Sequence, residues 1–295
     1  MLSADVMRQI RRIELRTRRL VNDSFAGAYH VVFKGRGMTF DTVRAYEPGD
    51  DVRSIDWNVT ARTGDPHVKQ FIEERELTVM LVLDASASVL FGSRQRFKRD
   101  LAAELGAVLA LSAIRNNDRV GLLVFSDKVE MFISPRKGRN HVLRLIRDLM
   151  AAQPTGQGTD LALALTTVNR VLKRRAIVFL ISDFLVSSDE YVPELLITSR
   201  RHDVIAVTLS DPLEQAWPDA GLVRLQDAET GALSWVDTAS VRWRRQFGAQ
   251  ARQFQQLRDS TLRAARVDQI SLTSDGDYVR TLAEFFQRRE RRALL

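Results

Sequence analysis

From residue 77 onward, short continuous apolar runs alternate with segments of helical periodicity, and few folds accept that pattern. A strand such as Leu-Thr-Val-Met-Leu-Val-Leu over 77–83 has almost no polar face, so it has to be covered on both sides. Helices that follow such strands supply the cover, which predicts an α/β fold with a doubly wound, mostly parallel sheet. Strands are predicted at 77–83, 119–125, 128–133, 176–181, 204–209 and 268–272, and helices at 97–115, 139–152, 159–173, 190–201 and 278–287. Ser126-Asp127 alone separates the second strand from the third, the spacing of a hairpin, and this predicts one antiparallel edge strand.

Two stretches interrupt the alternation. Residues 25–76 carry β-like pieces at 30–33 and 68–72 around a polar middle with Pro48-Gly49, and are expected to form a small β-rich lobe. Residues 211–266 hold a hairpin signal turning at Glu229-Thr230-Gly231 and a long Arg- and Gln-rich helix over 241–266, read as an insertion into a sheet domain that spans 77–295. Residues 1–24 are expected to form a basic amphipathic helix, since 1–20 hold six arginines interleaved with Ile10, Ile13, Leu15 and Leu20.

Composition narrows the function classes. With no cysteine there is no disulfide framework and no thiolate metal site, so any metal has to be held by oxygen or histidine. His30, His67, His141 and His202 lie in separate segments without ligand spacing. No run approaches the roughly 20 apolar residues needed to span a bilayer, and no signal peptide is recognisable, so a cytoplasmic location is expected. The net charge of +7 raises the possibility of nucleic acid or an anionic membrane as partner. It gathers partly at the two ends, at 8–19 and at Arg288, Arg289, Arg291 and Arg292, without an aromatic-interleaved strand or recognition helix beside it, so nucleic acid is disfavoured.

In a doubly wound sheet, ligands bind beyond the carboxyl ends of strands, so the residues that end the strands carry the chemistry. The first strand runs into Asp84-Ala85-Ser86-Ala87-Ser88, and that at 176–181 into Ser182-Asp183, while Thr159-Asp160 opens a helix just after Gly156 and Gly158. Taken singly, Asp, Ser and Thr at such places are common helix caps and turn formers. Together, Asp84, Ser86, Ser88, Thr159 and Asp183 form an oxygen-only donor set suited to a hard divalent cation, Mg²⁺ first, with Mn²⁺ or Ca²⁺ as alternatives. Two carboxylates and three hydroxyls leave such an ion under-neutralised, open to an acidic group from a partner.

In order and context these three segments resemble the metal-ion-dependent adhesion site of von Willebrand factor A domains, over about residues 77–210. The resemblance implies that Ser86, Ser88 and Thr159 coordinate the metal, with Asp84 and Asp183 holding it directly or through water. Phe184 departs from the pattern, since many of these domains have glycine after the last aspartate. Upstream, Gly35-Arg36-Gly37, the series Arg44, Tyr46, Gly49, Asp50, Arg53, Ile55, Asp56, Trp57, and Ala61-Arg62 resemble the signature of the bacterial domain-of-unknown-function 58 family. Members of that family carry this kind of A domain and are commonly encoded beside MoxR-type AAA+ ATPases, which implies such an ATPase as partner. Arg44, Asp50, Arg53, Asp56 and Arg62, with Tyr46 and Trp57 packed among them, are expected to lock the β-rich lobe onto the A domain or to bind a partner.

The function expected is thus a metal-dependent interaction module or adaptor. One alternative is a Mg²⁺-dependent phosphohydrolase with Asp84 as nucleophile, although the second acid and the phosphate-holding lysine of such chemistry are not evident. The other is a basic nucleic-acid or anionic-membrane binder. The chain has no Gly-x-x-x-x-Gly-Lys-Ser/Thr loop, so ATP hydrolysis would belong to a partner.

Overall fold

The run at 77–83 forms the strand β3 (Thr78–Asp84), and in this computed structural model, which describes residues 38–73, 77–94 and 96–293, it lies in the middle of a six-stranded sheet. The other members are β4 (Arg119–Phe125), β5 (Val129–Arg136), β6 (Ile177–Ser182), β7 (Asp203–Ser210) and β10 (Asp268–Thr273). Their spatial order is β10-β7-β6-β3-β4-β5, with every pair parallel except β4 with β5. The fold is therefore the von Willebrand factor A-like doubly wound sheet with one antiparallel edge. β5 runs past the predicted end to Arg136 because its alternating exposed and half-buried residues tolerate an edge position.

Two apolar layers follow from the period of two along β3. Val79, Leu81 and Leu83 face one side, with α2 (Lys98–Arg115), α3 (Arg139–Ala151) and α8 (Tyr278–Ala293) over them; Met80 and Val82 face the other, under α4 (Leu161–Val171), α5 (Ser188–Arg201) and α7 (Val241–Ala264). Each leucine in these layers is sealed from water, and truncating one to alanine costs about 2–5 kcal/mol. From Leu105 to Ile114 α2 is apolar nearly all round, as a stretch covered by its neighbours has to be. Several helix ends differ from the predicted ones. α4 begins at Leu161 because Asp160 is its N-cap, accepting from the Leu163 amide at 2.7 Å, and this leaves Thr159 outside the helix. α5 begins two residues early and α8 continues to residue 293.

Between β7 and β10 the chain makes the short helix α6 (Pro212–Gln215), the hairpin β8 (Leu222–Gln226) and β9 (Leu233–Asp237), and then α7. Among the described residues the hairpin pairs only with itself.

Ahead of the sheet, β1 (Met38–Ala45) pairs antiparallel with β2 (His67–Glu73), and α1 (Trp57–Thr63) lies between them. Neither β1 nor α1 was expected; α1 has few apolar residues and depends on its N-cap, Asp56, which accepts from the amides of Asn58 and Val59. The predicted helix in 1–24, the strand at 30–33 and Gly35-Arg36-Gly37 lie outside the described residues.

Candidate metal centre

The chain crosses from β3 to β4 on one side and then returns to β6 on the other, so the strand order reverses between β3 and β6. The connections that leave the carboxyl ends of these two strands diverge at that point, and the ends carry Asp84 and Ser182-Asp183. Asp84 is 3% exposed, with Oδ1 accepting from the Ser86 amide at 2.9 Å and Oδ2 from Ser182 Oγ at 2.6 Å. The Ser86 and Ser88 hydroxyls lie 3.1 Å apart, and Ser88 Oγ donates to Asp183 Oδ2 at 2.8 Å. Four of the five expected residues are therefore joined in one hydrogen-bonded cluster.

Thr159 arrives from a third segment that is latched from two directions. The Ala87 amide donates to the Gln157 carbonyl at 3.0 Å and the Asp160 amide to the Ser126 carbonyl at 2.9 Å. Glu130 ties the same loop down by accepting from the amides of Thr155 and Gly156 and from Ser126 Oγ. Glycine at 156 makes room for two side chains, because a Cβ would fall 2.0 Å from Asp127 Oδ1 and 2.1 Å from Ser126 Oγ and force them to shift.

Electrostatics favour a cation. Burial, reinforced by the neighbouring charge of Asp183, pushes the Asp84 carboxyl up to about 7 despite the hydrogen bonds it accepts from Ser182 and Ser86. A positive ion would restore its charged form. The spacing is also suitable, since adjacent vertices of an octahedron with Mg²⁺–oxygen bonds of 2.0–2.1 Å lie about 2.9 Å apart, close to the Ser86–Ser88 separation. With both Asp84 oxygens already accepting, the hydroxyls of Ser86, Ser88 and Thr159 would be the groups left to meet an ion. Among the described residues no three His, Cys, Asp or Glu side chains form a metal cluster, so an ion here depends on these hydroxyls.

The structure adds residues that the sequence reading did not place. Lys98 is fully buried, and its ammonium reaches Asp183 Oδ2 at 2.7 Å and forms an ion pair with Glu214. Burial opposes its charge, but Asp183 and Glu214 outweigh that and hold its pKa above the ordinary value. Glu214 is delivered by a capping box: its carboxylate accepts from the Asp211 amide, while Asp211 accepts from Leu213. Asp211 is itself buried against the hydroxyls of Ser93 and Ser274. Lys98 lies on the apolar stripe of α2 with Leu101 and Leu105, and a charge on such a stripe was the one signal available.

Phe184, the expected irregularity, has φ +55°, the left-handed conformation that glycine favours at this place. Its ring is fully buried, edge-on to Tyr191 at 5.9 Å, and this packing offsets the backbone cost. Exposed apolar residues adjoin the cluster along the chain: Leu90 and Phe91 after Ser88, Phe97 before Lys98, and Leu185 after Asp183 are 38–53% exposed.

Among the upstream charged residues, the described contacts run within the lobe. Arg44 grips Asp50 through two 2.7 Å hydrogen bonds within the lobe, and Asp56 caps α1 there, 3.8 Å from Lys69. Tyr46 is half-buried and its amide donates to the Pro66 carbonyl. Arg53 and Arg62 are exposed, and Trp57, expected to pack, is 67% exposed. At the C-terminal end, Arg289 binds Asp203 and Asp268 while Arg292 reaches Asp268, so part of the basic cluster is spent on holding α8 to the sheet.

Comparison with known proteins agrees with the upstream motifs. An uncharacterised protein of Mycobacterium tuberculosis is 34% identical over 289 residues, covering 97% of this chain and 90% of the relative. Among solved structures, the conserved hypothetical protein BatB of Bacteroides thetaiotaomicron is similar at 16% identity and a TM-score of 0.48, over 73% of this chain and 99% of its own. An aerotolerance-related membrane protein of Bacteroides fragilis is similar at 17% and 0.49, with the same coverage. Among the described residues of the present chain, no helix is long and apolar enough to cross a membrane. The family described as protein of unknown function DUF58 matches residues 42–257, from the Arg44–Asp50 pair through the candidate site and into α7, and the chain belongs to it.

Proposed function

We propose that this chain is a protein-interaction module that holds a divalent cation, Mg²⁺ in the first instance, on Ser86, Ser88 and Thr159 and captures an acidic side chain of a protein partner. The observation that carries this reading is the pair of hydroxyls 3.1 Å apart beside Asp84, whose buried carboxyl is pushed up to about 7 and lacks a full counter-charge. Asp84 and Asp183 would hold the ion directly or through water. When bound, the ion supplies a Lewis-acidic point that accepts an external carboxylate. The exposed Leu90, Phe91, Phe97 and Leu185 favour a protein over a free small anion, because they add exposed apolar area to the polar contact.

A MoxR-type AAA+ ATPase is the partner suggested by the family's usual gene neighbours, and a cytoplasmic location belongs to the same proposal, supported by the cysteine-free composition. The phosphohydrolase reading gains a lysine from the structure, Lys98, but that ammonium is fully buried between two carboxylates, and Asp84 has no uncommitted oxygen to attack with.

Affinity purification on the full chain, with Mg²⁺ and with EDTA, tests the proposal. Wild type should retain a protein partner only in Mg²⁺, and Asp84→Ala and Thr159→Ala should lose it. Retention that is unchanged in EDTA removes the metal from the mechanism.

A further inference from the structure

The turn of the β8–β9 hairpin brings an acidic side chain of the protein's own to the candidate site. Glu229 Oε1 accepts a hydrogen bond at 3.1 Å from Thr159 Oγ1, one of the three hydroxyls assigned to the cation, across 70 residues of sequence. The turn is braced to present it. Asp227 Oδ1 accepts from the amides of Glu229 and Thr230 and from Thr230 Oγ1, the Gly231 amide returns to the Asp227 carbonyl, and Gly231 takes φ +70°. Glu229 therefore stands at the apex of a pre-formed turn, half-buried against the site.

The arm that carries it is only lightly held. The hairpin is a two-stranded sheet on its own, and Leu222, Leu233 and Trp235 are 60–66% exposed. Thr238 latches its base by donating to the Gly221 carbonyl at 2.7 Å. Isolated two-stranded hairpins are marginal in water, so the tip contact is the kind that a competitor can break without unfolding the core.

We propose that Glu229 is the resident acidic ligand of the cation site, taking the position that a partner's carboxylate would take, so that the hairpin closes the site until an acidic partner displaces it. This inference rests on the cation-binding reading above. Exchange of one carboxylate for another leaves the charge at the ion unchanged, so opening depends on the partner's additional apolar contacts. A tethered ligand competes at millimolar effective concentration, which makes weak acidic groups ineffective and selects for partners that also cover the exposed apolar residues.

Mn²⁺ binding followed by electron paramagnetic resonance tests this on the full chain. The sequence has no cysteine, so Ala228→Cys, at an exposed turn position, gives a single nitroxide site beside Glu229. Glu229→Gln should weaken Mn²⁺ binding by about tenfold or more, since even outer-shell changes at metal sites cost 10–100-fold. Bound Mn²⁺ should also relax the nitroxide strongly when Glu229 is present and less when Glu229→Gln is combined with it. Equal Mn²⁺ affinity, or nitroxide relaxation indifferent to Glu229→Gln, overturns the internal ligand while leaving the cation site standing. Failure of wild type to bind Mn²⁺ overturns the site itself and this inference with it.

Discussion

Replacing Asp84 with asparagine should make the metal-free protein more stable and the metal-loaded protein relatively less so. In the folded chain burial and Asp183 push the Asp84 carboxyl from 3.8 to about 7. Each unit corresponds to about 1.36 kcal/mol, so keeping Asp84 charged without a counter-ion costs roughly 4 kcal/mol above about pH 8. Asparagine has the same shape and no charge. Its amide nitrogen, however, meets Ser182 Oγ, which now donates to Asp84 Oδ2, and rearranging that bond costs about 1 kcal/mol. A net gain of about 3 kcal/mol is expected in EDTA near pH 8, seen in urea denaturation or as a rise of several degrees in Tm. Because the folded pKa is raised, wild type is destabilised progressively as pH rises from about 4 through about 7, so the advantage of the variant should vanish near pH 4, where the cost of about 1 kcal/mol for the rearranged hydrogen bond remains. With Mg²⁺ at about 100 times its Kd wild type should gain about 2.7 kcal/mol, and Asp84→Asn much less. A variant that is less stable than wild type in EDTA would show that the charge is already compensated without metal. An equal response to Mg²⁺ in both proteins would remove Asp84 from the cation site.

Two further outcomes follow from other parts of the molecule. Gly156→Ala places a methyl against Ser126 Oγ and Asp127 Oδ1, so it should shift the loop that carries Thr159. The expected result is weaker Mn²⁺ binding by isothermal titration with an unchanged far-ultraviolet circular dichroism spectrum; unaltered affinity would show that the loop does not set the site. His202 is 2% exposed, neither ring nitrogen has a hydrogen-bond partner among the described residues, and burial, together with Arg201 and Arg175, lowers its pKa. It binds its proton more weakly when folded, so it stabilises fully above its unfolded value of about 6.5 and progressively less as pH falls below that. The stability of His202→Phe relative to wild type should therefore rise between about pH 7 and pH 5, and a difference independent of pH in denaturant titrations refutes the assignment.

The sheet was legible because its signal is local. Continuous apolar runs at 77–83 and 176–181 have one physical solution, a strand covered on both faces, and β3 and β6 are such strands. Ser126-Asp127 likewise announced the antiparallel edge. β1 and α1 escaped, because a shift of register between Phe40 and Thr42 breaks the alternation of β1, and a seven-residue helix stabilised by its Asp56 cap has almost no periodicity to read. Trp57 was expected in a packed network for its size alone, and the fold leaves it outside.

For the candidate site, the sequence by itself determined the composition: two strand-end segments, on strands whose apolar character requires a central position, and one helix-opening loop, all rich in Asp, Ser and Thr. Only the tertiary structure decided how those oxygens are charged and covered. Lys98 is 85 residues from Asp183 and Glu214 is 116 from Lys98, while Glu229 is 70 from Thr159. A lysine on a helix or a glutamate in a turn looks the same in sequence whether it faces water or a buried carboxylate. The distinction arises when the chain after β7 returns, so that α6 sets Glu214 against Lys98 and the hairpin turn sets Glu229 against Thr159, away from the solvent that would otherwise have neutralised each charge separately.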